Sequence, residues 1–534
     1  MVDCSTRYLP YEKTKLFSSL VLDYLNDTPG VKPLFSHRPD TEGFKNAMAD
    51  RKRFSTDRIL LHKVFQTAYS NGASKAQQTN IDVLLKEDTF TICTAHQPNI
   101  FTGYLYFIYK IVHAIKLAEE LKLKFPASNF VPVFYMGTED NDLEELGQIK
   151  LGGIKLEWKT KQTGAVGRMK VDKDMIRLMN EIEGQLGVQP YGSELMRILR
   201  DSYQEGTSIA EATFRLVNHL FSEFGLLVLQ ADNASLKQLM KPVFEEDLFQ
   251  HKPHELVSQT GKLLHEHYKV QVNPREINLF YLLDSVRERI TANGLNFSVD
   301  PINLHFTKEQ LVEELQQNPE RFSPNVVLRG IYQETILPNI AFIGGGSEIA
   351  YWLELKALFD HYRVPFPVLV LRNSFLLASS DQEKKLQTMG LTLEDLFSSE
   401  DQILTAYVKK NSSKNIDISE EIDAAKQLFE SLKNKTGVID ITLVQHIEAL
   451  NARWKKQLES VSKKMLRAEK RKFETEKNQL NKIRTSLFPN NSLQERVDNF
   501  MPWYAKQGRT FIETIYRLSP SLQHEFGIIS CIYP

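Results

Sequence analysis

The chain has 534 residues, 42% hydrophobic and 25% charged, too long for one typical domain and apolar enough to bury several cores. A formal net charge of −1 argues against a generally basic nucleic-acid-binding surface. No apolar run approaches the roughly 18 residues of a membrane span, the N-terminus lacks a signal-peptide layout, and Cys4, Cys93 and Cys531 have no metal-ligand spacing, so the expectation is a cytoplasmic protein with reduced thiols.

Residues 1 to about 88 place Leu16, Leu20, Leu25, Ile59, Leu60, Val64 and Phe65 in a pattern that predicts a mostly helical lead-in. Arg51, Lys52, Arg53 and Arg58 form a basic cluster there, read as a solvated face or a phosphate contact. The most informative stretch follows, at 89–145. Phe90, Ile92 and Cys93 suit a short buried strand, and the loop His96-Gln97-Pro98-Asn99 leads through Thr102-Gly103 into a helix. Tyr106, Ile108, Tyr109, Val112, Ile115 and Leu117 fall largely on one face of that helix. The apolar run 130–136 makes a second strand, followed by Gly137-Thr138-Glu139-Asp140-Asn141-Asp142.

Such a βαβ unit has a right-handed crossover, and open parallel sheets bind ligands at the carboxyl ends of their strands. Both polar loops should therefore lie on one edge. The first offers a His, amides, a hydroxyl and a helix N-terminus, which suits an anion. The second offers three carboxylates within four residues, which suits an amine or a hydrated Mg²⁺. The alternative is that both are ordinary helix-capping loops.

Further along, 149–190 predicts a short glycine-rich β excursion and a helix, and the βα pattern returns with a buried strand at 225–232. A long helix and short strand-like pieces at 278–282 and 287–290 read as a second insertion. Gly344-Gly345-Gly346-Ser347-Glu348 then opens a helix; no Lys-Ser/Thr follows the glycines, so it is not a Walker loop. A strand at 366–371 closes the sheet. From about 381 to 484 glycine nearly vanishes, and Ile439, Leu443, Ile447, Leu450, Trp454 and Leu458 recur at steps of a long antiparallel helix pair or coiled coil. The basic run 463–472 reads as a solvated face, with a nucleotide or partner contact as the other possibility.

Together, HQPNIFTGYLYFIYK, PVFYMGTEDNDLEE, NLFYLLDSVRERI, RFSPNVVLRGIYQETILPNIAFIGGGSEIAYWLELK and RAEKRKFE with LFPNNSLQERVDN resemble the BshC family of bacillithiol biosynthesis over essentially the whole chain. The resemblance implies an α/β, Rossmann-like doubly wound parallel sheet with two inserted connecting-peptide-type subdomains. It also implies a C-terminal α-helical coiled-coil arm that pairs two chains. The expected divisions are 1–148 (lead-in and first part of the core), 149–200 (first insertion), 201–252 (core), 253–320 (second insertion), 321–380 (core), 381–485 (arm) and 486–534 (a segment packing back on the core). The implied reaction joins L-cysteine to the amino group of glucosaminyl-malate, with ATP, and Mg²⁺ as a further possibility, activating the carboxyl. Alternatives are a metabolite-binding dimeric scaffold and a nucleotidyl or aminoacyl transferase.

On that reading His96, Asp140 and Lys110 are the candidate catalytic residues. His96, Gln97, Asn99 and Thr102 would hold phosphate or carboxylate oxygens. Glu139, Asp140 and Asp142 would hold an ammonium or position Mg²⁺, and the Arg329 fork would clamp malate. Gln333, Glu334, Gly344, Gly345, Gly346 and Glu348 complete the pocket, and Gly103, Tyr109, Asn141, Tyr332 and Tyr351 join the substrate-binding set. No dedicated metal ligands are assigned. Competing readings make His96 a helix cap, the acidic loop a helix-start cluster, Lys110 a snorkelling surface residue and Arg329 a partner of Glu334.

Overall fold

The computed structural model describes residues 4–294, 296–414 and 416–531; residues 1–3, part of the stretch read for a leader, lie outside the described residues. The chain forms two compact units, one running to Leu377 and taking in Ser492–Ile529, the other comprising Ala378–Asn491 and the residues from Ser530 on.

In the first unit β1 (Thr89–His96), α1 (Tyr106–Lys124) and β2 (Asn129–Met136) form the βαβ unit. They are followed by β3 (Leu227–Gln230), α2 (Val326–Ile336), β4 (Asn339–Gly344), α3 (Gly346–Glu354) and β5 (Val368–Leu371). All five strands are parallel, in the order β5-β4-β1-β2-β3. The chain steps outward from β1 through β2 to β3, then returns to the other side of β1 for β4. A topological switch point therefore lies between β1 and β4, as in Rossmann-like sheets.

Burial explains the composition of these strands. Phe90, Ile92, Phe130, Ile340, Ile343, Val368 and Val370 pack on one face with Ala114, Leu117 and Leu121 of α1 and with Phe44, Ala47 and Met48 of the helix Thr41–Arg53. On β4, Phe342 stacks on Trp352 of α3 at 4.4 Å. With helices over both faces the strands need no polar alternation. Pro132 is tolerated inside β2 because β3 pairs only with Val133 to Met136, leaving β2 an edge at the proline.

The first insertion carries a hairpin, Gln148–Leu151 with Ile154–Glu157, turned at Gly152-Gly153 where φ is +54° and +85°. The helices Lys173–Leu186 and Gly192–Ser202 follow. The second insertion holds the helix Lys252–His265 and two small antiparallel sheets. One consists of Phe322–Pro324, Leu279–Leu283 and Val286–Arg289, the other of Leu304–Thr307, Asn296–Val299 and Thr291–Asn293. In the second unit α4 (Ser419–Ile439) and α5 (Thr442–Lys470) pack as a hairpin in which Lys433 reaches Glu448 at 2.6 Å.

Several expectations change. The lead-in is largely helical but begins with a strand, Cys4–Pro10, next to the last strand, Glu525–Cys531, in a three-stranded sheet. Cys4 and Cys531 are disulfide-bonded rather than reduced, and Cys93 is free and buried. The apolar track from Ile439 crosses the turn at Asp440-Ile441, so Ile439 belongs to α4 and Leu443 to α5. Within the basic run, Lys470 pairs with Asp401 and Lys472 with Glu469, each at 2.6 Å. Among the described residues no helix is long and apolar enough to cross a membrane.

Arg51 is not on a solvated face. It is 2% exposed, donates to Glu334 Oε2 at 2.7 Å and also donates to the carbonyls of Glu334 and Pro365. Glu334 accepts further bonds from Gln333 Nε2 and Asn339 Nδ2, at 2.9 and 2.7 Å. Asn339 opens β4, so this network lies at the amino edge of the sheet. Arg51→Met should leave a buried carboxylate without its cation and lower stability by about 3–5 kcal/mol in urea unfolding. Pairing it with Glu334→Gln should recover part of that loss.

Candidate active site

β1 and β4 share a ladder only as far as Thr94 and Ile343, where Thr94 Oγ1 donates to Ile343 O at 2.9 Å. Beyond that point His96 pairs with Met136 of β2, and Gly344 with Leu371 of β5. The strands part, and a cavity of about 590 Å³ lies at their carboxyl ends. β1 contributes Ala95, His96 and the following Gln97, and the turn into α3 contributes Gly345, Gly346, Ser347 and Glu348. Asp140 enters from the loop after β2 and Arg329 from α2. Arg287 comes from the second insertion, Arg372 from the end of β5, and Arg496 from the C-terminal part of the same unit.

The charges are mostly matched. Arg329 donates to both oxygens of Asp140, at 3.0 and 3.1 Å, a bidentate fork. Arg287 Nη1 lies 3.5 Å from Asp140 and is steered by Asn141 Oδ1 and Ser323 Oγ, both at 3.1 Å. Burial raises the Asp140 pKa, but Arg329 and Arg287 outweigh it and hold the carboxyl at about 2. Arg372 is bound to Glu495 at 2.7 Å and lies over the Tyr106 ring at 5.0 Å. Arg496 makes no ion pair among the described residues, and its guanidinium is 6.0 Å from the Phe17 ring centroid.

His96 ends β1 with its ring against Tyr106 and Phe107, and Nε2 is 3.4 Å from the Tyr106 hydroxyl. Burial first, then the Lys110 charge, pushes its pKa well below the usual imidazole value, with Asp140 opposing. At neutral pH the ring is uncharged and can accept a proton. None of the three glycines needs positive φ, and Gly344 is the one that close packing requires. A Cβ on Gly344 would lie 2.8 Å from the Phe342 ring, and one on Gly345 3.4 Å from both Arg372 Nε and Glu348 Oε2.

The cavity thus gathers His96, Gln97, Asp140, Arg329, Gly345, Gly346, Glu348 and Tyr351. Other candidates lie elsewhere. Lys110 does not snorkel: it is 2% exposed and donates to Glu348 and to the Ala95 carbonyl, just behind the cavity. Asn99 and Thr102 are buried, and Gly103 adopts φ +66° in a turn tied by Asn499 to the carbonyls of Phe101 and Gly103, so this loop faces inward. Tyr109 packs on Phe375, and Tyr332 donates to Ala231 O at 2.8 Å. Gln333 and Glu334 occupy the opposite edge, and Arg329 pairs with Asp140 rather than Glu334.

The acidic loop does not converge on one cation. Glu139 pairs with Lys237 and accepts from Ser323, Asp140 holds arginines, and Asp142 caps the short helix Leu143–Leu146. Asn141 acts on Arg287. The sequence reading missed Arg287, Arg372 and Arg496. Arg372 directly follows a core strand, the criterion that singled out the other loops, whereas Arg287 and Arg496 are brought in by segments whose docking no local pattern reveals.

Two family models match the chain: "Bacillithiol biosynthesis BshC, N-terminal Rossmann-like domain" over residues 4–373, and "Bacillithiol biosynthesis BshC, C-terminal coiled-coil domain" over residues 375–531. The chain belongs to the BshC family. A BshC relative from Flavobacterium johnsoniae, named "Putative cysteine ligase BshC", is 38% identical, with 98% of this chain and 99% of the relative covered. Relatives of the same name from Christiangramia forsetii and Salinibacter ruber are 34% and 28% identical, covering 98% and 93% of this chain and 99% and 94% of their own. A solved structure titled as a putative arginyl-tRNA synthetase from Campylobacter jejuni aligns with 83% of this chain and 99% of its own, at 10% identity and a TM-score of 0.22.

The depressed Asp140 pKa fixes a pH dependence. Its folded value lies below the unfolded one, so the stabilisation is complete above about pH 4 and disappears as pH falls towards 2. Asp140→Asn should cost about 2 kcal/mol more at pH 6 than at pH 2 by chemical denaturation. An equal cost at both pH values would contradict the pairing.

Proposed function

We propose that this chain is a cytoplasmic, ATP-dependent ligase that joins the carboxyl of L-cysteine to the amino group of glucosaminyl-malate, forming an amide bond. The observation that carries this reading is an unpaired cation: Arg287, Arg329 and Arg372 are held by protein groups, while Arg496 faces the same cavity, which Glu145 also lines, with no ion pair among the described residues. A substrate bearing carboxylates would neutralise it, and a guanidinium is shaped to receive one.

Carboxylates do not acylate amines in water, so cysteine's carboxyl must first be activated. ATP would supply the activating group, leaving an acyl-adenylate or acyl-phosphate for the amine to attack. The amides at the start of α3, with Arg496, fit the negative oxygens of phosphate or carboxylate. Among the described residues no group of three or more His, Cys, Asp or Glu side chains is arranged to hold a metal, so Mg²⁺ would enter on the nucleotide phosphates.

The amine attacks the activated carbonyl carbon, the N–C bond forms and the activating group leaves. The attacking nitrogen becomes acidic as it bonds, and neutral His96 can take its proton. Purified protein with ATP, Mg²⁺, cysteine and glucosaminyl-malate should yield the condensed thiol by mass detection. Tight metabolite binding without turnover would instead indicate a scaffold. Arg496→Gln should raise KM for glucosaminyl-malate roughly tenfold while leaving that for cysteine nearly unchanged. His96→Ala should lower kcat roughly 10²-fold or more without lowering Tm appreciably.

The arm supports a homodimer reading. Ile439, Ile441 and Trp454 are 79%, 73% and 50% exposed, an apolar cost that pairing would relieve. Sedimentation should give a dimer, and Trp454→Glu should shift it towards monomer.

A further inference from the structure

The crevice between β1 and β4 begins where their backbone ladder stops, at Thr94 and Ile343. From there no backbone pairing between these strands fixes their separation. A side-chain bridge takes over. Lys110, on α1, directs its ammonium to three oxygens: Ala95 O at 2.5 Å, and Glu348 Oε1 and Oε2 at 2.8 Å each. Glu348 Oε2 in turn accepts the Gly345 N–H at 2.7 Å. The chain of contacts runs from the peptide before His96, across the crevice, to the glycine turn that opens α3.

We propose that Lys110 is a positioning residue which, with Glu348, clasps the two strand ends and sets the crevice width at which His96 and the first amides of α3 face one ligand. The inference rests on the ligase reading only for what that ligand is. Lys110 satisfies all three of its hydrogens in the clasp, so it is not free to act on substrate. Its side chain is 2% exposed, whereas that of Glu348 is 25% exposed. The bridge therefore has a dry end and a wet end, and removing the carboxylate would leave the dry ammonium without a compensating charge. The ammonium also opposes protonation of His96, whose other charged neighbours are Asp140 and Arg372.

Backbone hydrogen exchange on the full chain, read by mass spectrometry, tests the clasp directly. Lys110→Met removes the cation. Glu348→Gln keeps the volume but leaves one acceptor oxygen for donors that two oxygens served, and provides a comparison should the methionine variant unfold. Each should speed exchange at the Gly345 amide roughly tenfold, with peptides from Lys173–Leu186 exchanging as in the wild type. The double variant should exchange no faster than the faster single variant, because both break one unit. In the condensation assay, kcat should fall while KM for cysteine stays within about threefold, and the acid limb of the Lys110→Met pH–rate profile should move to higher pH. Unchanged exchange at Gly345, or single effects that multiply in the double variant, overturns the clasp. Faster exchange in a protein whose wild type makes no condensed thiol supports the clasp and sinks the ligase reading instead.

Discussion

Desolvated charge must be matched, and at the cavity the Asp140–Arg329 fork meets that constraint for several segments at once. Asp140 stands on the loop after β2, Arg329 on α2, and Arg287 on a hairpin of the second insertion. One carboxylate thus gathers three segments that are far apart in the chain. Removing it would leave guanidiniums facing one another in a partly dry cavity. The surrounding contacts, Asn141 and Ser323 on Arg287 and Glu495 on Arg372, extend the same logic by fixing each cation before any ligand arrives. Such preorganisation lowers the reorganisation that binding or catalysis would otherwise require.

The sheet supplies the frame for this arrangement. Strand order places β1 between partners reached in opposite directions, so its carboxyl end diverges from β4. The insertions and the C-terminal segment then add walls that the five strands alone would lack. A Rossmann-like frame supports many chemistries, and here Arg287 and Arg496 of the added segments join Arg329 and Arg372 of the frame in lining the cavity.

Much of the frame was legible in the sequence. Phe90, Ile92 and Cys93 mark the strand at 89–96, the apolar run 130–136 marks the next, polar loops follow both, and the glycine turn marks the end of β4. The short strands at 291–307 were not legible, since runs of three or four residues leave little periodicity. Site residues divide in the same way. His96, Asp140 and Arg329 sit immediately after a strand or on a helix beside the sheet edge, so position alone brings them forward. Asn99 and Thr102 share that position yet turn inward, because a loop with positive φ at Phe101, Thr102 and Gly103 reverses the expected side-chain directions. Lys110 and Arg51 look like surface cations in sequence; only tertiary packing shows the carboxylates that let them be buried.

That inward-turned loop is held from an unexpected quarter. Asn499 donates to the carbonyls of Phe101 and Gly103, the Asp498 carbonyl accepts from the Leu105 amide, and Arg496, three residues before Asn499, faces the cavity. This loop therefore waits for a segment that lies 396 to 398 residues further along the chain. During synthesis all five strands of the parallel sheet emerge before residue 499, so the rim of the cavity stays unfinished until that later segment follows. A truncated chain would be left with a sheet and no finished cavity.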